Sequence, residues 1–293
     1  MDRPIVMTSD KTPWSALAPG IEMQIFYAEP ATGIWTTKIW MHAGSVLPPH
    51  RHDGASEFFI LQGEGVHQES GPFEVGTYAF EPEGVLHSPV PAVDDIVLYM
   101  TSYGPGTFLK PNGKELYVAD AEYFSKQLAM SALGRRTKHF MLIKIWSFFP
   151  KRNQNVDKLA QSDGMKSYDN YMVPTDNRAY KSIGALPGVG FKPMNILSSP
   201  SVWSATMRIE KGQSLPGRRN TNLCEYLVVQ GSGQYATGEA FQHGDYFREV
   251  EGTYGSIVAA EEVVLFVTNH GSTQFLEEQW CAGPEQMAKL AEG

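Results

Sequence analysis

Along much of the chain, apolar and polar residues alternate over short segments bounded by Gly and Pro, the period-two pattern of half-buried β-strands. Ile34 to Met41, Glu57 to Leu61 and Ile96 to Met100 read as strands early in the chain, and Val202 to Ile209, Glu225 to Val229 and Val263 to Thr268 read as strands late in it. All are rich in β-branched and aromatic residues. Short strands at regular spacing with glycine turns predict an all-β sandwich or barrel. One helix is predicted over AEYFSKQLAMSAL, starting at Ala121 and ending near Gly134.

The pattern occurs twice. Pro19-Gly20 matches Pro187-Gly188, Trp35 matches Trp203, and Gly44, Gly63, Gly76 and Gly84 match Gly212, Gly231, Gly244 and Gly252, always 168 residues apart. Gly and Pro sit where the backbone turns, so a fixed offset at those residues means the same turns in the same order. The segment from Ala121 to about Lys181 is not repeated. Residues 1–124 are expected to form one domain, 125–177 a linker with a helix, and 178–293 a second domain. The polar run KRNQNVDKLAQSDG reads as the connection between them.

Composition narrows the function. With 42% apolar and 19% charged residues, 293 residues can bury two cores, which argues against disorder. The formal charge of −8 and the lack of a basic, aromatic-interleaved run argue against nucleic acid as a partner. The most apolar stretch, Phe140 to Phe149, contains Lys144 and is too short to span a membrane. Cys224 and Cys281 stand in unrelated contexts without a CxxC, and MDRPIVMTSD carries no apolar leader core, so a cytoplasmic setting is expected. A homodimer is left open.

Candidate chemistry lies in the first copy. His50 and His52 in GSVLPPHRH are two apart on a strand and so share a face. His87 follows in EPEGVLHSP, just after another glycine turn. Two imidazoles from one strand and one from a neighbour make a facial ligand set with open positions opposite.

Gly44-x5-His50-x-His52-x4-Glu57 followed by Gly76-x5-Pro82-x-Gly84-x2-His87 resembles the paired motifs of the cupins. That resemblance implies two tandem jelly-roll β-barrels, the first holding one metal. The spacing departs from the family at Glu57, which is followed by five residues before Gly63 where six are usual. GTYAFEPEGVLHSP, with HRHDG and Glu69 before it, is similar to the 2,4'-dihydroxyacetophenone dioxygenase branch, in which three His and a Glu at the position of Glu69 hold iron. The acetylacetone-cleaving cupins are relatives that use His alone.

At the same offset His50 becomes Arg218, His52 becomes Asn220, His87 becomes Gly255 and Glu69 becomes Thr237, so the second domain is expected to be a degenerate copy without a metal. Glu57 recurs as Glu225, where the ligand histidines are replaced, which favours Glu69 as the acidic ligand beside His50, His52 and His87. Glu81 recurs as Glu249 and reads as a turn residue. His67 shares a face with Glu69 and reads as a half-buried histidine without a role in the chemistry, with support of a metal ligand or contact with substrate left open. Trp40, Phe58, Tyr99 and Tyr103 read as core, or as the lining of an apolar pocket.

The resemblance implies an Fe(II)-dependent dioxygenase that takes O2 and a small hydroxyketone or diketone and cleaves the carbon–carbon bond beside the ketone. Zn, Ni or Mn also suit such ligands. The alternative is a non-catalytic metal- or ligand-binding cupin, similar to the zinc-binding cupin halves of some anti-sigma factors. Those carry an added zinc segment with a CxxC that this chain lacks.

Overall fold

The computed structural model of the chain describes residues 1–132, 171–175, 178–197, 201–278 and 280–292. They fall into two compact units, Thr12–Thr175 and Met1–Lys11 joined with Asp176–Gly293. Both are all-β, with one helix described in each. The polar run at 151–164 lies outside the described residues.

In the unit Thr12–Thr175, a seven-stranded antiparallel sheet runs in the order Tyr171–Pro174, Thr77–Glu81, Ser56–Gln62, Ile96–Ser102, Ile34–Met41, Ile21–Glu29, Ser15–Ala18. A four-stranded sheet runs Leu86–His87, His50–His52, Gly106–Leu109, Glu115–Ala119. Alternation sends Trp35, Ile39, Phe58, Ile60 and Ala79 of the large sheet into one buried cluster with Phe108 and Ala119 of the small one. The other unit repeats this plan with Ile5–Met7, Tyr246–Glu249, Cys224–Gln230, Val263–Asn269, Val202–Ile209, Val189–Leu197 and Lys181–Ser182. Its small sheet runs Gly252–Tyr254, Arg218–Asn220, Thr273–Phe275, Trp280–Ala282.

All six strands predicted from the alternation lie within observed strands, two of them end to end. The turns repeat as well. Gly63 and Gly231 both have φ +82°, and a Cβ there would stand 2.3 Å from the Asp95 carbonyl oxygen or 2.0 Å from that of Glu262. Only glycine fits such a turn.

The boundaries depart from the expected 124 and 178. The helix Ala121–Ala132 opens on Asp120, whose Oδ1 accepts the N–H of Tyr123 at 2.7 Å. Its Phe124 is fully buried against Trp35, with ring centroids 4.7 Å apart, so the helix belongs to the barrel Thr12–Thr175. Tyr171–Pro174 also pairs with that barrel, against Thr77–Phe80, while Ile5–Met7 at the start of the chain pairs with Tyr246–Arg248 of the other. Each short segment covers the same sheet edge in its unit, satisfying backbone groups that would otherwise be unpaired. Backbone pairing of this kind leaves no residue-type pattern, so the repeat did not reveal it.

No helix among the described residues is long and apolar enough to cross a membrane. Cys224 and Cys281 are free thiols.

Candidate metal centre

Strand pairing assembles the three histidines. Within His50–His52 the two imidazoles share a face, while Arg51 on the other face binds Asp53. His87 is the cross-strand partner of His50 in the antiparallel pair. The ring centroids of His50, His52 and His87 form a nearly equilateral triangle of 5.1, 5.0 and 5.0 Å. One ligand atom of each lies within 4.8 Å of the others. His50 is 8% exposed, His52 2% and His87 fully buried.

Surrounding groups orient the rings. His50 Nδ1 lies 3.0 Å from the Pro48 carbonyl, which can only accept, so Nδ1 carries the proton and Nε2 keeps a free lone pair. Phe108, the cross-strand partner of His50 on its other side, stacks on that ring at 5.3 Å. His52 and His87 have both ring nitrogens buried without a hydrogen-bond partner. Buried polar atoms ordinarily have partners, and a cluster of partnerless imidazoles is what a bound transition-metal ion would satisfy. The donor set fits such an ion.

Two further residues stand in the cluster. His67, 4% exposed, places its ring 4.6 Å from that of His87. Glu81, 3% exposed, points its Oε2 to within 2.9 Å of His52 Nε2 and its Oε1 to within 3.3 Å of His87 Nε2. His67, Glu81 and His87 form a second group with ligand atoms within 4.8 Å of one another. Glu81 therefore does not hold a turn, as its recurrence suggested, and His67 is buried rather than half-buried. Glu81 pairs across the sheet with Ser56, whose hydroxyl donates to it at 3.0 Å, so both face the barrel interior, a register that the sequence alone does not give.

Glu69 lies on the Nδ1 side of His87, with Oε2 3.9 Å from that atom and 3.6 Å from His67 Nδ1, and its Oε1 accepts the Ser88 N–H at 2.8 Å. Glu57 faces away from the histidines. It pairs with Phe80, and it accepts hydroxyl bonds from Tyr78 and Tyr103 at 2.7 Å each. Trp40 and Tyr99 also have the outward parity, opposite Val97 and Lys38, and Trp40 packs on Trp14 and Tyr99 on Phe26. Of the four aromatics read as possible pocket lining, Phe58 alone joins the interior cluster.

Burial pushes the His50 imidazole well below its usual range, and nearby His87 and His52 lower it further. His67 is lowered too, chiefly by burial. Burial also pushes His87 down, but Glu81 and Glu69 outweigh it and the net shift is upward. Burial favours the neutral form of Glu81, yet the facing His87 and His52 hold it well below the usual carboxylate range. Glu69 likewise resists burial, and contacts from His87 and Ser88 hold it at about 2. The site thus sets the burial-depressed imidazoles of His50 and His67 beside two carboxylates held ionised, a set suited to a divalent cation.

In the second unit, Arg218, Asn220 and Tyr235 stand where His50, His52 and His67 stand in the first. Arg218 is fully buried, and its guanidinium binds Glu249 through both Nε and Nη2. Its Nη1 donates to the carbonyl of Gly255, at the position of His87, at 3.1 Å. Asn220 and Tyr235 each donate to Glu249 at 2.7 Å.

Comparison with known proteins gives a consistent picture. The model of the ChrR cupin-like domain matches residues 2–107 and again 169–274. The acetylacetone-cleaving enzyme of Acinetobacter johnsonii is 35% identical over 100 residues, 32% of this chain and 65% of that enzyme. The match therefore spans less than two thirds of the enzyme's length. The structure of an 11S allergen from Cocos nucifera superposes with a TM-score of 0.62 at 11% identity, over 97% of this chain and 91% of that one. A deletion mutant of Bacillus subtilis oxalate decarboxylase gives 0.53 at 12%, over 96% and 79%. At such identities the likeness speaks to fold alone.

Proposed function

The chain belongs to the ChrR cupin-like family as a tandem of two such domains, and we propose that it is a metal-dependent dioxygenase cleaving the carbon–carbon bond beside the ketone of a small diketone or hydroxyketone. The observation that carries this reading is the triangle of buried, convergent imidazoles in the first barrel, with the sequence match to an acetylacetone-cleaving enzyme beside it. His50, His52 and His87 would hold the metal, for which Fe(II) is the choice that suits O2 chemistry. When bound, it would supply a Lewis acid that polarises the substrate carbonyl and lowers the pKa of the C–H beside it.

The residues around it define what a substrate meets. The Pro48 carbonyl and the Phe108 ring hold that imidazole in one orientation. The hydrocarbon of Phe58, Ile60 and Phe108 excludes water from the barrel interior and suits a small, largely apolar ketone. Two free cysteines accord with a reducing, cytoplasmic setting.

The test is oxygen uptake. The purified chain, loaded with Fe(II) without air, is mixed with oxygenated buffer and either acetylacetone or 2,4'-dihydroxyacetophenone. Substrate-dependent uptake with release of a carboxylic acid is expected. Metal binding without uptake across a panel of diketones and hydroxyketones would leave the non-catalytic metal-binding module as the reading.

A further inference from the structure

We infer that Glu81 is the acidic member of the metal centre, and that Glu69 is a positioning residue acting on it through His87. This rests on the reading that the first barrel holds a cation.

Glu81 ends the strand Thr77–Glu81 and turns its carboxylate into the barrel interior, where its neighbours are imidazoles and the Ser56 hydroxyl. Its oxygens lie 2.9 Å from His52 Nε2 and 3.3 Å from His87 Nε2, yet neither nitrogen has a hydrogen-bond partner. Close approach without hydrogen-bond alignment is what donors to a common ion show. For metal–ligand bonds of ~2.1 Å, donors at right angles stand about 3.0 Å apart. A carboxylate this deeply buried also needs a positive charge nearby.

The second barrel shows what that charge does. Glu249, 168 positions on from Glu81, is fully buried and holds the guanidinium of Arg218, which projects from the position of His50. Asn220 and Tyr235, at the positions of His52 and His67, donate to the same carboxylate. The acid is kept in both barrels, and in the second a side-chain cation stands at it. In the first barrel His50 stands at the position of Arg218, and a bound cation would supply the charge at Glu81 there. Glu69 has no such counterpart, because Thr237 takes its place. It faces Nδ1 of His87, whereas Nε2 of that ring is the atom turned to Glu81. At 3.9 Å the charge of Glu69 favours a proton on Nδ1 and so leaves the lone pair of Nε2 to a metal.

Co(II) titration of the metal-free chain, followed by visible absorption, separates the two acids. Wild type is expected to bind one Co(II). Glu81→Gln should weaken binding at least 100-fold and change the spectrum, whereas Glu69→Gln should weaken it about 10-fold and leave the spectrum unchanged. Thermal unfolding without metal adds a readout independent of loading. Glu81→Gln should lower the unfolding temperature by less than Glu249→Gln does, because its carboxylate faces imidazoles and the Ser56 hydroxyl rather than a guanidinium. Glu249→Gln should unfold lower, since it strands Arg218.

Should Glu81→Gln fail to fold, Glu81→Asp carries the test, because it keeps the charge but withdraws it and must alter the Co(II) spectrum. A wild-type spectrum and affinity in the Glu81 variant, or the larger loss in Glu69→Gln, overturns the assignment. Absence of Co(II) binding by wild type overturns the metal-centre reading itself.

Discussion

Tyr78 donates its hydroxyl hydrogen to Glu57 at 2.7 Å, on the face of the sheet turned away from the histidines, and Tyr246 does the same to Glu225 at 2.6 Å in the second barrel. Glu57 is therefore an acceptor that the fold uses in both units. Glu57→Gln should leave metal content unchanged and lower stability by about 1–3 kcal/mol, since the amide cannot accept at both ends as the carboxylate does. Elemental analysis beside urea unfolding checks both halves. Loss of metal would return Glu57 to the site.

One metal ion per chain is the expected stoichiometry, from one intact histidine set and one replaced by Arg218, Asn220 and Gly255. Changing His50, His52 or His87 to Ala should each reduce it to nearly none. Two metals per wild-type chain by elemental analysis would sink the single-site reading.

Arg218→Met should destabilise the second barrel by about 3–5 kcal/mol, because Glu249 is left as a buried charge without its partner. Metal content should stay at one. The double change Arg218→Met with Glu249→Gln should recover much of the loss, which calorimetry can read.

Metal removal should lower the unfolding temperature. A ligand present at 100 times its dissociation constant stabilises by about 2.7 kcal/mol. A melting curve unmoved by chelator would mean that no ion is held in the folded state.

Acid sensitivity of the metal-free chain has a definite sign at His50. Its folded value lies below 6.5, chiefly through burial. As pH falls through 6.5, the unfolded chain takes up a proton that the folded chain refuses, so stability declines until the folded value is reached. His87, shifted upward, acts in the opposite direction. The comparison is therefore wild type against His50→Gln, whose stability should fall less between about pH 7 and pH 5 in urea titrations. An equal or steeper decline would contradict the burial argument.

The sequence by itself determined the tandem repeat, the strands and the metal-ligand histidines as candidates, because these depend on local rules. Turn residues keep a fixed offset, strand side chains alternate, and His50 and His52 sit on one uninterrupted strand. Only the tertiary structure decided which acids meet them. Between His52 and Glu57 the chain leaves one strand and enters another, so counting parity across the turn fails and Glu57 emerges on the outer face. Glu81 reaches the cluster because its strand pairs in register with Ser56 across the sheet, a relationship between residues 25 apart. The edge segments Ile5–Met7 and Tyr171–Pro174 were hidden for the same reason, since their partners are distant backbone groups that no residue type announces.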